Sequence, residues 1–270
     1  MPIAVVATLQ PVAAAQVPTM LARAAHAALL REVAAQDAGL AARLHDAEGP
    51  RPFTVSNVIG LPRAGGELVR VDPTCVCRLR VTLLEPELER LAGQWCAEPP
   101  PLLDLDGSLW QVRQMTQAEA VDGWAGAQGY ADLMAPVVQR TKTLPTRWTL
   151  EFASPVTFRQ QGRNQPLPLP ELVFGSLLER WNAFAPLALP DEVRRFAAEC
   201  LAVSRFELQS VRGTTKNRAF QVGAVGQMTY VATVKDRYWL ACLETLAQFA
   251  FFSGVGAGTA RGYGQTRILG

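Results

Sequence analysis

The chain contains few histidines and carries little net charge. Its 270 residues include two histidines, and 26 Lys and Arg side chains against 24 Asp and Glu leave a net charge of +2. Because the whole chain is not basic, any polyanionic partner must be bound by local patches. No apolar run approaches the roughly 18 residues of a membrane span, so we expect no membrane contact. The histidines and cysteines lack zinc-site spacing, which predicts no metal and no other cofactor.

The cysteines and the N-terminus bear on the cellular compartment. The chain has five cysteines, an odd number that does not suit a framework of paired disulfides. The N-terminus lacks the basic region of a secretory signal peptide. We therefore expect a cytoplasmic protein with free thiols. The cysteines are Cys75, Cys77, Cys96, Cys200 and Cys242.

A glycine-rich segment near the C-terminus is the most informative feature present. Glycine is favoured where the backbone needs a positive φ or where another molecule approaches closely. Successive exposed N–H groups in such a segment form a concavity that binds anions, and Arg261 and Arg267 add positive charge. The segment predicts a site for a phosphorylated ligand, and the alternative is a flexible turn. Its glycines are Gly254, Gly256, Gly258, Gly262 and Gly264.

Two nucleotide-binding motifs do not fit this segment. A P-loop requires a lysine after its glycines, and the segment contains none. A dinucleotide fingerprint leads from a strand into a helix. Here the apolar spacing predicts the reverse order: a helix over 236–252 that stops at Gly254, and then a strand over 265–269.

The order of predicted elements indicates the fold class. The first half follows the β-α-β-β-α-β order of the ferredoxin-like fold. Its predicted elements are a strand over 3–9, helices over 20–33 and 37–44, strands over 53–59 and 68–84, a helix over 85–97 and a strand over 102–115. A turn is predicted at 72–73, within the long alternating run.

A connector over 116–145 precedes a second series of the same order. Its predicted elements are a strand over 148–158, helices from 170 and over 192–201, strands over 205–211 and 219–234, a helix from 236 and the terminal strand. The sequence therefore predicts an α+β fold of tandem ferredoxin-like (RRM-like) domains, 1–140 and 141–270, with the glycine-rich segment in the second. The duplication rests on element order, since no sequence repeat is evident.

Three segments together resemble one protein family. Residues 249–265 (FAFFSGVGAGTARGYGQ) are similar to its glycine-rich signature, and 170–182 (PELVFGSLLERWN) to a helix of its second half. Residues 42–56 (ARLHDAEGPRPFTVS) resemble the segment that carries its catalytic histidine. The family is that of the repeat-cutting CRISPR endoribonucleases, the Cas6 family of the RAMP superfamily. The glycine-rich signature is shared with relatives that bind RNA without cutting it.

The resemblance implies cleavage of CRISPR precursor RNA within its repeats, without a metal. The scissile ribose 2′-OH attacks its own phosphate and leaves a 2′,3′-cyclic phosphate and a 5′-OH. This reaction needs a base, an acid and a cation on the phosphorane. Imidazole, with an unperturbed pKa of about 6.5, suits the first two roles, and an arginine suits the third.

The resemblance also implies which residues act. His45 matches the catalytic histidine, Arg51 stands where the family has a lysine, and His26 lies near the position of a tyrosine on the first helix. We assign His26 as general base, His45 as general acid and Arg51 as phosphate clamp; the two histidine roles are exchangeable. On residues alone, His26 also suits a structural role on an apolar helix face, His45 a favourable charge at a helix end, and Arg51 a solvated surface.

RNA binding is expected at the glycine-rich segment and at a basic run over 205–218. The candidate RNA-binding residues are Gly254, Gly256, Gly258, Arg261, Gly262, Gly264, Arg212, Lys216 and Arg218. The implied partners are CRISPR repeat RNA, as precursor and mature crRNA, and candidate subunits of a CRISPR effector complex. The protein itself is expected to be a monomer or a homodimer. Two alternatives stay open: a non-catalytic RNA-binding RAMP subunit of an effector complex, and an enzyme that binds a mononucleotide at an unusual glycine loop.

Overall fold

The computed structural model describes residues 1–63, 65–139, 143–214 and 220–269, with only the backbone at 213, 214 and 220. Its contacts divide the chain into two compact units. The first unit comprises Met1–Gln128 and Ala260–Gly262, and the second comprises Gly129–Thr259 and Tyr263–Gly270. The predicted boundary between 140 and 141 lies outside the described residues.

The first unit contains a sheet, a short two-stranded ribbon and helices. In chain order its elements are β1 (Ile3–Pro11), β2 (Ala15–Pro18), α1 (Ala22–Gln36), α2 (Ala38–Asp46), β3 (Phe53–Val55), β4 (Leu68–Val71), β5 (Cys77–Leu83), α3 (Pro86–Ala97), β6 (Leu102–Leu105), β7 (Ser108–Thr116) and β8 (Gly126–Ala127). The strand order of the sheet is β3-β5-β1-β7-β6, with β8 beside β1, and neighbouring strands are antiparallel.

The core of this unit lies between the sheet and its helices. Leu9 and Trp110 from the sheet and Val33 from α1 are fully buried in one cluster. The order β3-β5-β1-β7 is that of a ferredoxin-like chain, because each helical connection joins two strands that have at least one other strand between them in the sheet.

One prediction about the strands in this unit is wrong, and the turn predicted at 72–73 is confirmed. The run over 102–115 is a hairpin rather than one strand, since Asp106 (φ 59°) and Gly107 (φ 81°) form a turn with positive φ at both positions. The run over 68–84 divides into β4 and β5, and β4 pairs with β2 in the separate ribbon. Alternation predicted the extended backbone correctly but could not predict the strand partners.

The second unit repeats this plan with longer strands. Its elements are α4 (Tyr130–Leu133), α5 (Ala135–Val138), β9 (Arg147–Val156), β10 (Phe158–Gln160), β11 (Arg163–Gln165), α6 (Pro170–Phe184), α7 (Glu192–Cys200), β12 (Leu201–Thr214), β13 (Phe220–Ala232), α8 (Arg237–Ser253) and β14 (Thr266–Leu269). The antiparallel sheet has the order β12-β13-β9-β14, and β10 and β11 form a small ribbon. The predicted connector over 116–145 includes the short elements β8, α4 and α5.

Alternation along β9 shows how this sheet buries one face. Trp148, Leu150 and Phe152 are buried, whereas the residues between them are only half-buried. Phe174 of α6 packs edge-to-face against the rings of Trp148 and Tyr230, at centroid distances of 6.4 and 5.8 Å. The predicted tandem ferredoxin-like fold is confirmed, because both units have this strand order and helices between the strands. No helix among the described residues is long and apolar enough to span a membrane.

Candidate active site

His26 lies on α1 in the first unit and is half-buried. Its ring packs against Phe53 at a centroid distance of 5.4 Å, and its Nδ1 lies 2.9 Å from the carbonyl oxygen of Ala260. Because that oxygen can only accept a hydrogen bond, the network assigns the proton of the neutral ring to Nδ1. The unprotonated Nε2 is then the nitrogen that can take up a proton.

The surroundings of His26 lower the pKa of its imidazole below the usual 6.5. Burial is the largest cause, since it penalises the charged ring. The bond to the Ala260 carbonyl partly offsets this effect, and the positive charges of Arg51, Arg261 and His45 add to it. His26 is therefore mainly neutral at pH 7, as a general base must be.

His45 and Arg51 stand at the end of α2 and just beyond it. The helix begins at Asp37, whose carboxylate accepts the N–H of Leu40 at 2.8 Å. His45 is exposed in its last turn, and the Arg51 Nη1 donates to the carbonyl of Leu44 at 2.6 Å. Arg51 therefore holds the helix end that carries His45, a contact that the predicted clamp role did not include.

The structure brings three of the predicted basic residues to His26. Arg51, His45 and Arg261 are all close enough for their charges to act on its ring. Arg261 ends a short 3₁₀ turn over Thr259–Arg261 and is exposed. A neutral imidazole beside exposed positive charge is an arrangement that can bind a phosphodiester and accept a proton from a hydroxyl group next to it.

The part of the glycine-rich segment that belongs to the second unit differs from the anion-binding concavity expected from the sequence. Gly254 ends α8 as predicted, with φ +63°. The expected row of exposed N–H groups is wrong at five positions, because each donates to an acceptor inside the protein. The N–H of Gly254 bonds to Ala250 O, Val255 to Gly264 O, Gly256 to Ser176 Oγ, Ala257 to Thr157 O and Gly264 to Pro155 O, all at 2.7–3.0 Å.

Close backbone approach explains why glycine occupies these positions. A Cβ on Gly264 would lie 2.0 Å from the carbonyl oxygen of Val255, and one on Gly256 would lie 2.4 Å from that of Thr157. Both residues also have positive φ, at 70° and 78°. These glycines serve packing within the second unit.

Two polar residues of α6 hold this segment, and sequence reasoning did not select either. Arg180 is buried and its Nη2 donates to Gly256 O at 2.7 Å and to Thr259 Oγ1 at 3.1 Å. Ser176, one helical turn earlier, accepts the N–H of Gly256. Burial lowers the pKa of Arg180 to about 10, so it is still charged at pH 7. An arginine among the apolar positions of a predicted core helix was the available signal.

The remaining basic candidates lie elsewhere. Arg212 is exposed on β12, and Lys216 and Arg218 lie outside the described residues. Arg267 forms an ion pair with Glu151 at 2.5 Å, so part of its charge is offset. Within the described ranges no cluster of three or more His, Cys, Asp or Glu side chains could hold a metal ion.

Comparison with known proteins gives a consistent family. Residues 150–266 match the family model described as CRISPR-associated endoribonuclease Cas6. A Cas6 product complex is similar over 100% of this chain and 99% of its own, at 28% identity and a TM-score of 0.79. The Cas6 of Thermus thermophilus is similar over 100% of this chain and 98% of its own, at 28% sequence identity and a TM-score of 0.73. Residues 150–266 therefore resemble the Cas6 family in sequence, and the whole chain resembles the Cas6 structures in fold. No curated protein sequence matches it.

The family match and the candidate catalytic residues occupy different parts of the chain. The Cas6 family model covers the glycine-rich segment and α6 but none of His26, His45 and Arg51. The similar Cas6 structures extend over the whole chain, including α1 and α2. The product of a Cas6-related gene from Pyrococcus furiosus is similar over 100% of this chain and 99% of its own, at 14% identity and a TM-score of 0.65, and this shows the shared fold alone.

Proposed function

We propose that this protein is a CRISPR repeat endoribonuclease that cuts precursor RNA by attack of a ribose 2′-OH. The observation that carries the proposal is the His26 ring, whose Nδ1 lies 2.9 Å from Ala260 O and whose pKa is lowered by burial and by the charges of Arg51, Arg261 and His45. The match of residues 150–266 to the Cas6 family model, and a Cas6 product complex among the similar structures, support the same substrate class.

The proton transfers follow from the protonation state of each ring. Nε2 of His26 accepts the proton of the 2′-OH, and the 2′-oxygen forms a bond to phosphorus. The bond from phosphorus to the 5′-oxygen then breaks. His45, as an imidazolium, donates a proton to that oxygen. The products are a 2′,3′-cyclic phosphate and a 5′-OH, and no metal takes part.

The charge of the transition state determines the roles of the arginines. The phosphorane carries more negative charge than the phosphodiester, and guanidinium groups beside it stabilise that difference. Arg51 and Arg261 are the two arginines whose charges act on His26. Arg51 is the proposed clamp, because its bond to Leu44 O fixes its position. Arg261 is proposed to hold the RNA backbone.

The test of the proposed function uses repeat RNA in EDTA, beside RNA with one 2′-deoxy nucleotide at the cut site. We expect cleavage of the all-ribose RNA only, with a 2′,3′-cyclic phosphate on the product. The variant His45→Ala should lose cleavage and keep binding. Tight binding without cleavage of either RNA would leave a non-catalytic RNA-binding subunit of an effector complex. Competition between a mononucleotide and the RNA would instead support a nucleotide-binding enzyme.

A further inference from the structure

The tripeptide Ala260–Gly262 belongs to the first unit by its contacts. Two hydrogen bonds hold it there. The N–H of Gly262 donates to the carbonyl of Val55 at 2.8 Å, and the carbonyl of Ala260 lies 2.9 Å from Nδ1 of His26. The group that fixes the imidazole tautomer is thus a backbone carbonyl, whose position depends on how the tripeptide is seated.

Gly262 is seated directly on α1. A Cβ at this position would lie 2.6 Å from the Cβ of Ala22, closer than two carbon atoms that are not bonded to each other can approach, and 3.3 Å from the backbone nitrogen of Asn57. Gly262 also has φ +87°, which side chains rarely allow. Ala22 and His26 are four residues apart and therefore share one face of the helix. The close packing at Ala22 and the bond at His26 lie one turn apart.

The frame that receives the tripeptide is itself tied together. The Asn57 side chain accepts the N–H of Leu21 at 2.7 Å and donates to the carbonyl of Thr19 at 2.8 Å. Asn57 thereby links the start of α1 to the chain just after β3, the strand that ends at Val55. The acceptor Val55 O and the donor His26 Nδ1, which hold the tripeptide, are therefore fixed relative to each other. Any displacement of Gly262 then also displaces Ala260 O relative to His26.

We propose that Gly262 is a positioning residue for His26: its contact with Ala22 seats the Ala260 carbonyl, and that carbonyl keeps the imidazole proton on Nδ1. Nε2 then remains the basic nitrogen. A side chain at 262 displaces the carbonyl and frees the ring to carry its proton on Nε2. The protonated Nε2 cannot then act as the base. The consequence for catalysis rests on the proposed function; the effect on the tautomer does not.

The tautomer can be measured without RNA, because the chain has only two histidines. Protein labelled with ¹⁵N-histidine gives two imidazole rings, and His45→Gln assigns them. Above the pKa of His26 we expect the Nδ1–H form in the unaltered protein and its loss in Gly262→Ala. Gly107→Ala is the matched control, since Gly107 has a similar φ of +81° and a Cβ there would have no atom within 4 Å. It should keep the Nδ1–H form.

A second variant avoids the strain of a side chain at positive φ. Ala22→Val enlarges the other partner of the contact, while Ala27→Val makes the same change at an exposed position of α1. We expect the tautomer to change in the first and not in the second. Circular dichroism checks the fold of each variant. If Gly262→Ala does not fold, the tautomer measured in Ala22→Val tests the positioning role instead.

The cleavage assay separates the two hypotheses. With RNA we expect Gly262→Ala and Ala22→Val to cut at least about tenfold more slowly, with binding within about threefold of the unaltered protein. Folded variants that keep the Nδ1–H form would overturn the positioning role, as would an Nε2–H ring in the unaltered protein. An Nδ1–H ring in a protein that does not cut RNA would contradict the proposed function and leave the positioning role of Gly262 intact.

Discussion

The first long helix of each unit reaches the glycine-rich segment with one side chain. In the first unit, His26 of α1 holds the carbonyl of Ala260 at 2.9 Å. In the second unit, Arg180 of α6 holds the carbonyl of Gly256 at 2.7 Å. Both helices follow the first strand of the β-α-β-β-α-β order. The same element of a duplicated fold therefore bonds to the same segment with two different chemistries.

The difference lies in what each side chain can do with a proton. His26 is half-buried, and burial together with nearby cations lowers its pKa, so the ring stays neutral and can accept a proton. Burial also lowers the pKa of Arg180, to about 10, and the group stays charged at pH 7. Arg180 can only donate. One half of the fold holds the segment with a group suited to proton transfer, and the other holds it with a permanent anchor.

The contrast between His26 as a base and Arg180 as an anchor is tested most directly by substituting His26. In His26→Ala we expect the single-turnover cleavage rate to fall by about 10²- to 10⁴-fold, because the general base is lost. Repeat RNA should still bind, since the surrounding cations remain. Rapid-quench cleavage and a filter-binding assay measure the two properties. Cleavage at the normal rate would mean that the helix holds the segment for structural reasons only, as α6 does.

Arg51 tests whether fixed positive charge matters beside His26. In Arg51→Met we expect cleavage to slow by about 10²-fold, since a guanidinium that stabilises the phosphorane is removed. The hydrogen bond to Leu44 O is lost as well, which should lower the free energy of unfolding by about 1 kcal/mol. Arg51→Lys is the control, because it keeps the charge. If both variants cut RNA equally slowly, the role of Arg51 is to position the end of α2.

Arg180 should show the opposite balance between stability and chemistry. Arg180→Met leaves Gly256 O and Thr259 Oγ1 without their buried donor, and we expect a loss of about 2 kcal/mol in the free energy of unfolding, measured by urea denaturation. Arg194→Met is the control, because Arg194 contacts Gly175 of the same helix but not the segment. If the Arg180 variant were as stable as the control variant, Arg180 would not anchor the glycine-rich segment.

Local patterns predicted the elements and could not predict their contacts. A strand over 148–158 and a helix end at Gly254 were predicted, and the structure has β9 over Arg147–Val156 and the end of α8 at Gly254. The bond between His26 and Ala260 joins residues 234 positions apart, and nothing in either local sequence indicates it. The glycines predicted positive φ correctly, but the groups that approach them are mostly the protein's own carbonyls, and the approach of a ligand stays a prediction. The catalytic and RNA-binding roles of the selected residues stay predictions.

The smallest expected effect concerns stability against pH. The folded state holds the pKa of His26 below the value of about 6.5 in the unfolded chain, so the unfolded chain binds the proton more readily. The contribution of the neutral ring to stability is therefore fully present above about pH 6.5, and it is lost as the pH falls below that value and through the folded-state pKa. Urea denaturation of the unaltered protein and of His26→Gln between pH 8 and pH 5 measures this, since the variant lacks the titrating group. We expect the difference between the two unfolding free energies to shrink on acidification. A difference that is constant over this range would mean that the ring is as easily protonated in the folded protein as in the unfolded chain. His26 would then have no advantage as a base over a fully exposed imidazole.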